Sequence, residues 1–171
     1  MSMVFGSKIS NLFEIGLPFL VAIFCVMLTM LPLGLSSGII VSPAFALMAV
    51  FYWALYRPEL MPPYAVFLVG LYYDLASAGP LGLWAFIYLV VYGIVLSQRL
   101  FFIGRAFFAI WIAFGMIALV AGLLAWAVSA LYYGSVVSPL PAFGQALISF
   151  VLYPLFGRIF GSIQRRFLSQ V

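Results

Sequence analysis

Residues 106–132 read AFFAIWIAFGMIALVAGLLAWAVSALY, a stretch without a single charge. At about 1.5 Å per helical residue it spans about 40 Å, more than the roughly 30 Å hydrocarbon core of a bilayer. The uncharged run continues to residue 157, and three others lie at 15–56, 60–73 and 75–98. Only 10 of the 171 residues are charged, 7 basic and 3 acidic, and 68% are hydrophobic. A soluble domain carries about a quarter of its residues as charges. Ten charges cannot cover a soluble fold of this length. The composition excludes a soluble globular domain, a disordered chain and, with one cysteine, a disulfide scaffold. An all-α polytopic membrane protein remains.

The breaks between helices follow from the turn residues and the charges. Pro32, Gly34, Ser36, Ser37 and Gly38 divide the first run into helices at about 15–32 and 39–56. The second ends at Arg57-Pro58, because the residue before proline leaves the α region. Pro62-Pro63 opens a third helix at about 62–76, and Ser77-Ala78-Gly79-Pro80 turns into a fourth at about 80–98. Arg99 to Arg105 reads as a short basic loop. A fifth helix covers about 106–132 and a sixth about 142–160, the latter containing Pro154. The tail from Gly161 is polar and basic. Six spans in a single domain over 1–171 are expected.

The positive-inside tendency sets the orientation. With six spans, one side holds the N-terminus, the 57–60 turn, the 99–105 loop and the C-terminal tail. All seven basic residues fall there. The 33–38, 77–80 and 133–141 turns on the other side have none. Both termini are therefore expected to be cytoplasmic, and the net charge of +4 is topology. The scattered basic residues form no stripe for nucleic acid. Tyr52, Trp53 and Tyr56 at one end, and Tyr132 and Tyr133 at the other, are expected at the membrane interfaces. Lys8 followed by an apolar run resembles a secretion signal, but the run is too long and Glu14 is a poor flank, so helix 1 is read as retained.

The reactive inventory is short. Histidine is absent, and Cys25 lies within helix 1. No catalytic pair, cofactor-binding loop or metal-ligand set is legible, so no catalytic residue, cofactor or metal is expected. Asp74 is the one acid within an expected span. A carboxylate there can accept hydrogen bonds from the turn and from the first turn of helix 4. The functional alternative makes it a partner contact or the polar group of an outward pocket. Gly70, one turn earlier, permits close helix approach. Gly79, Pro80, Leu81 and Gly82 form a tight turn feeding a helix. Helix 5 repeats small residues at Ala118, Gly122, Ala125 and Ser129, and helix 6 ends with Gly157 and Gly161. Such faces serve packing within the chain or docking of another transmembrane helix.

Two segments carry a resemblance. Tyr52-Trp53-Ala54-Leu55-Tyr56-Arg57-Pro58, then Gly70-Leu71-Tyr72-Tyr73-Asp74-Leu75 with Gly79-Pro80-Leu81-Gly82, resemble the MreD family of rod shape-determining proteins. The resemblance implies a multi-pass protein of the bacterial inner membrane with a non-enzymatic scaffold or regulatory role. It implies association with MreC and, through it, with MreB, the RodA transglycosylase and a class B penicillin-binding protein, in cell-wall elongation. It also implies an architecture similar to the S components of energy-coupling-factor transporters. The second functional reading follows from that similarity: an S-component-like subunit holding a small molecule or lipid precursor in an outward cavity near Asp74, Ser77, Tyr72, Tyr73 and Tyr88. Otherwise the surroundings are membrane lipid.

Overall fold

The computed structural model describes residues 2–31, 42–134 and 138–167, with the backbone alone over 2–15 and at 167. The described residues form six α-helices and one 3-10 turn, without strands: α1 (Ser2–Met30), α2 (Phe45–Tyr56), a turn at Pro58–Leu60, α3 (Pro63–Ser77), α4 (Leu83–Phe102), α5 (Phe107–Tyr133) and α6 (Leu140–Phe167). Three of these are long and apolar enough to cross a membrane: 83–102, 107–133 and 140–166. The apolar stretches Gly16–Met30 and Phe45–Tyr56 are shorter.

The shortest α-helix is the core. α2 reads FALMAVFYWALY, apolar on all sides, and every residue from Phe45 to Leu55 is buried. A helix with no polar face can be enclosed on every side without burying an unpaired polar group, and α1, α4, α5 and α6 all contact it. The other helices each keep one face outward. On α1 the inner stripe is Ala22, Cys25, Val26 and Thr29, while Leu20, Phe24 and Met27 point out. Small groups inside and large apolar groups outside are what close packing in lipid favours. Across the core, the Phe114 ring stacks on Tyr153 at 4.2 Å, and Phe51 of α2 meets both rings edge-on at 5.3 and 5.6 Å.

Several boundaries differ from the sequence reading. α1 already runs from Ser2, not from about 15, since Lys8 and Glu14 are charges and not breakers. α2 starts at Phe45, not 39. Pro43 excludes Ser42 from the α region, and Ala44, at φ −82° and ψ 63°, gives its N–H to Ser149 Oγ at 2.9 Å. The expected turn at 33–38 lies outside the described residues, as do the start expected at 39 and residues 135–137 of the 133–141 loop. α4 continues to Phe102, so Arg99 belongs to its last turn and the loop is shorter. The first position that demands a turn is Gly104, at φ +85°. From α4, Arg99 donates its Nε–H to the Leu55 carbonyl at 3.1 Å, which satisfies a backbone oxygen at the end of α2. α6 continues through the basic tail to Phe167. Tyr52 and Trp53 are buried, because α2 lies inside the bundle, whereas Tyr56, Tyr132 and Tyr133 are exposed.

Candidate interaction site

Asp74 is almost fully buried, at 1% exposure. α3 ends at Ser77 and is capped by Ala78 in the left-handed conformation. The chain then passes Gly79 and Pro80 to Gly82, which takes φ +93° as the N-cap of α4. A glycine permits that angle but has no side chain with which to cap the helix. Asp74 supplies the cap from the preceding helix. The N–H of Trp84 donates to Oδ1 at 2.9 Å, and those of Gly82 and Ala85 donate to Oδ2 at 2.9 and 3.4 Å. Leu83 N–H goes to the Pro80 carbonyl and Phe86 N–H to that of Gly82. The N–H groups that α4 would leave orphaned are thus all paired, and the carboxylate sits at the positive end of its dipole.

Gly70 lies one turn before Asp74, against the same first turn of α4. A Cβ there would press on the Ala85 backbone, 2.6 Å from its nitrogen and against its Cα. Tyr73 packs edge-on against Trp84, with ring centroids 4.9 Å apart. Gly70, Asp74 and Gly82 therefore form one joint. Gly79 and Pro80 carry the turn, and Leu81 points outward, 70% exposed.

The small-residue positions separate. Ala118 and Gly122 are buried on α5, and a Cβ on Gly122 would lie 3.3 Å from the Ala142 carbonyl of α6. Ala125 and Ser129 line a cavity of about 350 Å³ with Ser42, Trp84, Trp126, Tyr133 and Gln145. Asp74, Ser77, Tyr72, Tyr73 and Tyr88 are not among its lining residues, so the polar groups expected around an outward cavity are not brought together there. Gly157 and Gly161 line a different pocket, with Tyr52, Tyr56 and Arg158.

Sequence reasoning missed the tightest α5–α6 contact. A Cβ on Gly115 would lie 2.6 Å from the Phe150 ring. Trp111 stacks on that ring at 4.6 Å and donates its indole N–H to the Phe150 carbonyl at 2.8 Å. Beside this contact an apolar groove of about 450 Å³ opens outward between Ile112, Gly115, Met116 and Leu119 on α5 and Phe143, Ala146, Leu147 and Phe150 on α6. A lone glycine amid aromatics was the available signal. Missed too were two long-range polar ties, Gln145 Nε2–H to the Ser42 carbonyl and Tyr52 O–H to Gln164 Oε1. Among the described residues no three His, Cys, Asp or Glu side chains cluster to hold a metal.

The family model for rod shape-determining protein MreD matches residues 7–162, nearly the whole chain and all of the Asp74 joint. The chain belongs to the MreD family. No curated protein and no solved structure matches it. As an MreD, it has a role in rod-shape determination, and its apolar helices fit a membrane protein.

Proposed function

We propose that this MreD is a non-enzymatic scaffold of the cell-wall elongation machinery, built as one six-span domain in the bacterial inner membrane with both termini cytoplasmic. It binds the transmembrane and juxtamembrane part of MreC, and through that contact is tied to MreB, RodA and a class B penicillin-binding protein. One observation carries the scaffold reading. Both oxygens of Asp74, the one acid at membrane depth, are engaged by the backbone of α4, which leaves it no role as an acid or base. Ala118 and Gly122 are already used inside the chain, so the partner face moves to the outward groove between α5 and α6. The exposed Met116 and Leu147 on its two walls offer an apolar surface for van der Waals contact with a partner helix, the basis of association in lipid.

Single cysteines at Met116 and Leu147, in a Cys25→Ala background, test this. Each is exposed and should form a disulfide with cysteines placed along the MreC transmembrane helix. A cysteine at Leu75, exposed on α3, should not. Cross-linking from Leu75 alone would move the interface away from the groove.

The cavity beside Ser129 and Gln145 favours a second reading, an S-component-like subunit that holds a small molecule or lipid precursor. Native mass spectrometry of the purified chain and of Ser129→Trp decides between the two: a stoichiometric small molecule lost in Ser129→Trp favours the cavity, and no bound mass sensitive to that substitution favours the scaffold.

A further inference from the structure

The C-terminal half of α6 forms, with the ends of α2 and α5, a pocket of about 370 Å³. Gly157 and Gly161 leave it open. A Cβ on Gly157 would come no nearer than 3.7 Å to anything, the Phe107 ring, and one on Gly161 no nearer than 3.5 Å, the Tyr52 hydroxyl, so neither glycine is required by a backbone contact between helices. The lower wall is aromatic, Phe107 and Tyr153. The upper wall is polar and basic, with Tyr56, Arg158 and Arg165.

Two features of this pocket ask for an anion. The first is charge. Among the described residues no carboxylate lines it, and elsewhere Glu59 lies 3.7 Å from Arg57 while Asp74 is engaged by backbone. The second is Tyr153. Its side chain is 1% exposed, its ring is held by Phe114 and Phe51, and it lines the pocket. A buried tyrosine hydroxyl normally has a partner, and the pocket wall is where this one has room for it.

We propose that the pocket binds the phosphodiester headgroup of an anionic membrane lipid. The two guanidiniums take the phosphate, the Tyr153 hydroxyl donates to it from below, and the apolar rim at Phe107 accompanies the acyl chains. Arginine suits this task because its planar fork matches phosphate oxygens. The site lies at the basic end of α6, where an apolar helix gives way to Arg158, Arg165 and Arg166, the position of a lipid–water boundary. The proposal does not depend on MreC, so the two can fail separately.

The test uses the full chain in detergent, with phosphatidylglycerol or phosphatidylcholine added and bound lipid read by native mass spectrometry. Phosphatidylglycerol should be retained selectively. Arg158→Ala and Arg165→Ala should each weaken it about fivefold, and Tyr153→Phe by a smaller factor. Gly157→Leu should fill the pocket and abolish retention. Arg166→Ala, with the same loss of charge but outside the pocket, should have little effect. Equal losses for all three arginine variants, or equal retention of both lipids, would overturn the proposal. So would inorganic phosphate giving the same thermal stabilisation as the lipid, since the site would then read a soluble anion.

Discussion

The α3–α4 pair and the α5–α6 pair solve the same problem, holding two neighbouring helices together, by opposite means. In the first, one carboxylate reaches across and terminates the next helix, and Gly70 lets the backbones touch. In the second, the ties are a ring stack, one indole hydrogen bond and a glycine under a phenylalanine. The polar joint consumes its functional groups completely. The apolar pair leaves an open groove beside its closest contact. A buried acid in this chain is therefore a sign of closed structure, and the less conspicuous region is the one with surface to offer.

Substitutions can break the contrast, beginning with the acid. Asp74→Ala leaves three N–H groups without their acceptor and should cost about 3–5 kcal/mol, read as a large fall in the thermal midpoint in detergent. Asp74→Asn, which keeps the shape and loses the charge and one acceptor, should fall between Ala and the parent. A midpoint unchanged by both would mean that the hairpin is held by packing alone. Gly70→Val comes next, at about 3 kcal/mol, because the obstacle is the Ala85 backbone, which cannot turn aside. Gly115→Ala tests the other pair. Its obstacle is the Phe150 ring, which can shift, so about 1–2 kcal/mol is expected. If Gly115→Ala costs more than Gly70→Val, the apolar pair is the more rigid of the two. Trp111→Phe keeps the stack and removes the hydrogen bond, for about 1 kcal/mol. Smallest of all is Glu59→Gln. It removes a half-exposed ion pair 3.7 Å long and should change the midpoint by no more than about 0.5 kcal/mol corresponds to.

The helices and the Asp74 joint were readable because each rests on local signals. Gly70 and Asp74 are one turn apart and must share a face. Pro63 opens α3, and a glycine at 82 stands where a capping side chain would be expected. The boundaries went astray where charge was taken for a stop signal. Arg99 and the basic tail lie within helices because an arginine does not break a helix. The burial of Tyr52 and Trp53 was hidden for another reason. An aromatic-rich apolar helix looks alike at an interface and in a core, and only the arrangement of its neighbours decides. The ties from Ser149 to Ala44 and from Gln145 to Ser42 join residues more than a hundred positions apart, and no local spacing announces them.

The acid in α3 also constrains how the protein is made. On insertion scales a carboxylate at the centre of a membrane helix costs about 2.5–3.5 kcal/mol and less toward an end, where Asp74 stands, and the N–H groups that satisfy it lie 8, 10 and 11 residues further along the chain. A nascent chain that ends at Ser77 holds a carboxyl group without the three N–H donors that later satisfy it. Once Ala85 has emerged, the same segment becomes neutral in its hydrogen bonding. On the six-span reading, α3 and the first turn of α4 are therefore cheaper to place in the membrane together than one after the other.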